Sequence, residues 1–243
     1  GVFCEFLDLP GLTTLLHSSE IDWLRKNIDP KKVIKVGDIF ECIIQEIDTS
    51  KKRVAISRKM AMPNPYEVFA KDFPVGSDCN GIVESKNDYA LFVRLENSKI
   101  DGFCHANDID FLGKPEENLK KHNKNDKIKV RILEINIDDQ KVRVGAKQLK
   151  KDPLDYFQGK SVGDTITVKV VSSEKNGLMV KPEGYEGSEI LIKKSQIAVA
   201  SQDARPSRFL NGDRIDSAIS ELNLEKRKVS LSIKLLEELQ NKE

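Results

Sequence analysis

The sequence predicts an all-β chain built from tandem small barrels. Three observations carry that expectation. One sequence pattern returns three times, apolar residues alternate with period two inside each copy, and large side chains are too few for one large core. Of 243 residues, 39% are hydrophobic, 6% aromatic and 33% charged, proportions that suit several small cores better than a single one.

The repeat is plain in the chain. VGDIFECIIQEID at 36–48 returns as NDKIKVRILEIN at 125–136 and as GDRIDSAISELN at 212–223. Each is followed by a short polar turn and then by RVAIS at 53–57, KVRVG at 141–145 or KVSLS at 228–232, with copies 87 to 88 residues apart. Phe40, Cys42 and Ile44 share one face of their segment, as do Ile128, Val130 and Ile132, and Ile215, Ser217 and Ile219. Alternation of this kind marks half-buried strands paired as hairpins. Further strands are expected upstream, over 75–83, 90–95 and 102–105 in the middle copy and over 162–171, 178–181 and 190–193 in the last. Five short strands in roughly 75 residues bury their apolar face only if the sheet curls on itself, which makes each repeat a five-stranded OB-fold barrel.

The expected divisions are an incomplete OB-fold repeat over 1–60, a linker over 61–74, a repeat over 75–149, a linker over 150–161, a divergent repeat over 162–234 and a C-terminal helix over 235–243. The first repeat lacks its first strand; either it is a fragment or the strand comes from elsewhere. The unpaired edge predicts poor order or pairing with a neighbour. Asn64 and Asp152 each precede a proline and are expected to cap short linker helices, which would set the angle between neighbouring barrels. Leu235, Leu236 and Leu239 form an apolar stripe on a helix over 233–240, expected to pack on the last barrel.

Charge narrows the function classes. The net charge is +1, and the segments 1–62, 63–149 and 150–243 carry +1, −1 and +1. With no polybasic segment, affinity for a nucleic acid has to come from a local face and from stacking. Cys4, Cys42, Cys79 and Cys104 form no C-x-x-C pair, and His17, His105 and His122 complete no zinc spacing. Cys42 and Cys79 fall on alternating apolar positions and are expected as buried free thiols, in keeping with a reducing cytoplasm. No signal peptide and no membrane-spanning run is recognised. There is no phosphate-cradling G-x-x-x-x-G-K-[ST] loop, no G-x-G-x-x-G turn and no nucleophile elbow, so neither an enzyme nor a cofactor is expected.

Several stretches together carry a family likeness: Pro74-Val75-Gly76-Ser77, Tyr89-Ala90-Leu91-Phe92-Val93, Gly102-Phe103-Cys104-His105, and Ile135-Asn136 ahead of Lys141-Val142. The linkers Asn64-Pro65-Tyr66-Glu67-Val68-Phe69 and Asp152-Pro153-Leu154-Asp155-Tyr156-Phe157 belong to the same set. In this order and repetition the chain resembles the tandem RNA-binding domains of the bacterial small-subunit (30S) ribosomal protein S-one family. The resemblance implies OB-fold modules that bind single-stranded RNA on one barrel face. It further implies mRNA capture in translation, small ribosomal subunit proteins as partners, and no membrane association.

The family's binding face carries an aromatic pair on the second strand, a histidine on the third, and an acidic–basic pair around the last hairpin. Carried over, the middle copy offers Tyr89, Phe92, His105 and Lys141, with Asn136 in place of the usual aspartate. The first offers Phe3, His17, Asp48 and Arg53. In the last, Asn176 and Met179 stand where the aromatics belong, Lys193 stands for the histidine, and Asn223 and Lys228 flank the hairpin. That repeat either binds weakly or serves as an end cap.

Plainer readings stand beside these. Phe3 and Phe92 serve equally as core packing, and His105 as a structural histidine. Trp23 and Phe111, at matching places after the third strand, either cover the barrel end or extend an RNA track. The lysine-rich 120–124 stretch is either a solvated loop or a phosphate path. Two other functions stay open: a protein-docking scaffold of a ribonucleoprotein, and an RNA-binding accessory module of an RNA-processing enzyme.

Overall fold

A computed structural model describes residues 1–24 and 28–241. The chain divides into two compact units, residues 1–110 with 114–149, and 111–113 with 150–243.

The first unit opens with β1 (Val2–Glu5), β2 (Thr13–Leu16), β3 (Ile43–Asp48) and β4 (Arg53–Ser57), in the spatial order β1-β2-β4-β3. This is an open four-stranded sheet, and the strand expected over 36–48 begins only at Ile43. Phe40 and Cys42 are half-buried and Ile44 is 49% exposed, whereas Val130 and Ile132, their counterparts in the middle repeat, are 0% and 1% exposed. The cause is strand pairing. Among the described residues β3 has a ladder on one side only, to β4, so its other edge is unpaired and its apolar residues are only partly covered.

The middle repeat is closed. Helix α1 (Pro65–Asp72) leads into it, and the Asn64 side chain accepts from Tyr66 N–H at 3.0 Å as the expected cap. Tyr66 and Phe69 from this helix are part of the middle core. Strands β5 (Asp78–Lys86), β6 (Ala90–Leu95), β7 (Asp101–His105), β8 (Lys127–Asn136) and β9 (Lys141–Gly145) close in the order β5-β6-β7-β9-β8, with helix α2 (Pro115–Lys120) between β7 and β8. β5 pairs with both β6 and β8. Register shifts in the β5–β6 and β8–β9 ladders mark bulges, which bend strands enough to close so small a barrel.

In the second unit the linker forms a 3-10 turn over Pro153–Phe157 rather than an α-helix. Asp152 caps it through Leu154 N–H at 2.9 Å, and Phe157 is fully buried in the last core. Strands β10 (Thr165–Glu174), β11 (Gly177–Pro182), β12 (Ile190–Lys193), β13 (Arg214–Asn223) and β14 (Lys228–Ser232) form a five-stranded sheet in the order β12-β11-β10-β13-β14. Among the described residues its end strands share no ladder, so the expected closed barrel is a near-barrel here. Closure of the middle repeat runs through the parallel pairs Gly102↔Val142 and Phe103↔Arg143, and a Cβ on Gly102 would lie 3.0 Å from a Val144 methyl. Ile190 stands at the matching place in the last repeat and Thr14 in the first, and the first keeps one parallel pair there, Leu15↔Ala55. Helix α3 (Ile233–Gln240) follows, capped by Ser232 through Leu235 N–H. Ile233 packs on the last core, while Leu239 stays 38% exposed.

The turns that start the strands share one device. The carboxylates of Asp38, Asp126, Asp164 and Asp213 each accept from the backbone N–H three residues upstream at 2.7–2.8 Å. The residue before each aspartate has a positive φ: Gly37, Asn125, Gly163 and Gly212. The recurrent Gly-Asp of the sequence is thus turn chemistry.

Cys79 is buried as expected and so is Cys104, while Cys4 and Cys42 are half-buried; all four are free thiols. Burial pushes the Cys104 thiol up to about 12, so alkylation at pH 8 followed by mass spectrometry is expected to leave it unlabelled in the native chain and to label it after urea unfolding. Gly102→Ile, which installs the last repeat's residue, is expected to cost the middle barrel about 1–3 kcal/mol by overpacking. An unchanged urea midpoint would mean that the space around this glycine is not tight.

Candidate nucleic-acid interface

Period-two alternation sorts the middle barrel into inner and outer faces. Leu91, Val93 and Leu95 of β6, Gly102 and Cys104 of β7, and Val142 and Val144 of β9 are buried. The residues between them face outward, and because β6, β7 and β9 are neighbours they form one patch. Phe92 lies opposite Phe103, and Ala90 opposite His105, in the β6–β7 ladder.

The rings make a chain centred on Phe103, whose ring centre lies 5.9 Å from Phe92, 6.2 Å from Tyr89 and 6.3 Å from His105. Tyr89 is 54% exposed on a turn held by the Asn87 side chain, which accepts from the Tyr89 and Ala90 N–H groups at 3.0 and 2.8 Å. Beside the rings lies a cleft of about 480 Å³ whose walls include Phe92, Phe103, Asn136, Lys141 and Arg143. Phe92, Asn136 and Lys141 thus meet in one cleft, and Tyr89 and His105 join it through Phe103.

Several of these residues also have structural work. His105 Nδ1 accepts from Asn107 N–H at 3.2 Å, capping the 3-10 turn after β7, and His17 does the same for Ser19 N–H at 3.2 Å. A backbone N–H only donates, so Nδ1 is the acceptor in both rings. Asn136 accepts from Asp139 N–H at 2.9 Å and Asn223 from Lys226 N–H at 2.8 Å. Asp48 accepts from the N–H groups of Ser50 and Lys51, and the Ser50 hydroxyl, with those bonds, holds its carboxyl below the usual range. The polar residue before each last hairpin therefore closes the turn.

In the first repeat Phe3 is 82% exposed. It lies opposite Leu15, which takes the place of Phe103 and pairs with Ala55 of β4. Asp48 and Arg53 are cross-strand partners. In the last repeat Met179 lies opposite Leu191, so aliphatic side chains replace the aromatic pair. Lys193 starts its turn with no side-chain cap. Lys228 is tied to Glu221 at 2.9 Å, whereas among the described residues Arg53 and Lys141 have no ion-pair partner.

Three residues of the middle site escape the sequence reading: Phe103, Arg143 and Asp108. Two had a signal. Phe103 is two residues before His105 and Arg143 two after Lys141, so alternation puts both on the outer face. Asp108 is only 5% exposed and binds Arg143, Lys147 and Gln148 at 2.9–3.2 Å. Burial opposes its ionisation, but these hydrogen bonds outweigh that and hold the carboxyl below its usual range. Trp23 is half-buried, donates to Met62 O at 3.4 Å and lies under the Lys59 ammonium, which ties it to the end of the first sheet. Phe111 groups with the second unit, where the Arg227 guanidinium sits 5.1 Å from its ring centre. In the lysine-rich stretch Lys121 bonds Asn118 at 3.0 Å and Lys124 pairs with Glu84 at 3.9 Å.

The family model for the S1 RNA binding domain matches residues 1–59 and 72–147. The small ribosomal subunit protein bS1 of Rhodopseudomonas palustris is 32% identical over 243 residues, covering all of this chain and 42% of that protein. The protein of the same name from Rickettsia typhi is 33% identical over 239 residues, covering 96% of this chain and 40% of that one. The chain thus spans well under half the length of these relatives. A solved multidomain protein with nucleic acid binding domains from Streptococcus pneumoniae is 14% identical, covering 96% of this chain and 68% of that one at a TM-score of 0.23. Because the matched segments include the strands and hairpins that carry the outward-facing rings and cations, the chain belongs to the S1 RNA binding domain family.

Proposed function

We propose that the chain binds single-stranded RNA through the outer face of the middle repeat, with a second contact from the first repeat. The wider reading is a section of a small-subunit ribosomal protein that captures mRNA in the cytoplasm and docks on small-subunit proteins. Among the described residues no helix is long and apolar enough to cross a membrane. The chain is a binding protein and not an enzyme.

The observation that carries this reading is the row of rings Tyr89, Phe92, Phe103 and His105 beside the cleft that holds Lys141. Every base has a π-face, so stacking is worth about 1–3 kcal/mol per base and tolerates many sequences. Lys141 supplies a phosphate contact, and Asn136 can meet a 2′-hydroxyl with capacity left by its turn bonds. Single contacts of this kind are weak; linked repeats raise the effective concentration of the second site.

The last repeat supports a second reading. Its face offers Met179 and Leu191 in place of rings, and its hairpin lysine is neutralised by Glu221. An apolar face with paired charges suits docking on a protein better than stacking of bases.

Changing Tyr89, Phe92 and His105 together to alanine is expected to weaken binding of a single-stranded RNA oligonucleotide at least tenfold, the loss of one good stack. Fluorescence titration against single-stranded and duplex RNA at two salt concentrations checks it; parent-like affinity in the triple variant would remove the assigned face. Lys228→Ala is expected to leave the affinity unchanged, whereas Lys141→Ala lowers it and flattens the salt dependence. Equal losses from the two lysine variants would return the last repeat to the RNA face.

A further inference from the structure

Arg143 occurs in the middle repeat only. Ala55 and Ser230 hold its place on β4 and β14. The group behind it also differs among repeats. Asp108 corresponds to Glu20 in the first, whose carboxylate takes the Ser57 hydroxyl at 2.7 Å and Lys59 at 3.1 Å. It corresponds to Gln196 in the last, which takes the Ser232 hydroxyl at 2.7 Å. All three tie the turn after the third strand to the end of the last strand. Only in the middle repeat does the tie extend to an arginine on the outer face.

The geometry of that arginine is two-sided. Asp108 Oδ2 accepts from Arg143 Nη2 at 2.9 Å, with the Asp108 side chain 8% exposed and the Arg143 side chain 51% exposed. One end of the guanidinium is anchored in the barrel and the rest lies in the cleft. A guanidinium has five N–H donors, so a single anchoring bond leaves several for a ligand. Arg143 is the register partner of Phe103, and both line the cleft. Glu134 faces it from β8, and Lys141 and Asp101 line the same cleft.

We infer that Phe103, Arg143 and Asp108 make a nucleotide subsite in the middle repeat: Phe103 stacks a base, Arg143 takes the adjoining phosphate, and Asp108 is a positioning residue that holds the guanidinium without touching RNA. The inference rests on the reading of this cleft as an RNA face. A planar fork matches phosphate oxygens in a way an ammonium does not. Holding it in place before RNA arrives lowers the ordering cost of binding.

The test uses the whole chain and a fluorescein-labelled single-stranded oligouridylate, with Kd measured over a salt series. Arg143→Gln is expected to weaken binding and to reduce the slope of log K against log salt by about 0.7, the value of one phosphate contact on a single strand. Arg143→Lys keeps the slope and binds with intermediate affinity. Asp108→Asn is expected to weaken binding several-fold in the parent and not at all in the Arg143→Gln background. Should Asp108→Asn fail to fold by circular dichroism, Asp108→Glu, the first repeat's acid at that place, carries the same comparison. An unchanged slope in Arg143→Gln overturns the subsite, and an equal effect of the Asp108 change in both backgrounds overturns the positioning role. If the parent does not bind the oligonucleotide, the RNA reading itself fails. If Phe92→Ala loses affinity and Arg143→Gln does not, only the subsite fails.

Discussion

The proposed RNA face of the middle repeat depends on one short parallel contact, where β7 meets β9 through Gly102 and Phe103. Everything upstream of it on the ring side, and everything downstream on the cation side, belongs to separate hairpins. Gly102 is tightly packed there: an added Cβ would lie 3.0–3.2 Å from methyls of Val144 and Leu95. Closure seals the core and, in the same act, sets an outward aromatic beside an outward arginine. Stability and the proposed recognition therefore run through the same few residues.

The three repeats form a graded series around that contact. The middle one is complete, with a core of fully covered aliphatics and two helix-borne aromatics added from the linker. The first has a single parallel pair, Leu15↔Ala55, in the same place, and an uncovered third strand. The last has all five strands but no ladder between the ends. The side chains follow suit: rings and an anchored guanidinium in the middle, an exposed Phe3 with Leu15 in the first, aliphatics and a neutralised lysine in the last. Related sequences on one scaffold thus differ in the surface they can offer.

Near-neutral overall charge fits this arrangement. A chain with net charge +1 has no long-range field to gather RNA, so recognition has to be local. Stacking supplies an interaction that salt does not screen, and a few well-placed cations add the phosphate term. The polar residues proposed as binding positions, Asp48, Asn136 and Asn223, spend much of their capacity on the hairpin turns they close. The histidines spend one ring nitrogen on a cap. Such double employment ties the shape of the face to the turns at its margins.

Much of this was legible without coordinates. Alternation marked the strands of the middle and last repeats. The prolines after Asn64 and Asp152 marked the caps, and Phe92, Lys141 and Asn136 were found in one cleft. The start of β3, the open end of the last sheet and the Asp108 anchor were not legible. By itself the sequence determined periodicity, turns and caps, because these depend on residues a few positions apart and on backbone chemistry that each residue carries with it. Only the tertiary structure decided whether a sheet closed and which outward side chains became neighbours. The β7–β9 ladder joins strands separated in sequence by helix α2 and β8, and the Asp108–Arg143 bond joins residues 35 positions apart, brought together by packing that no local pattern records.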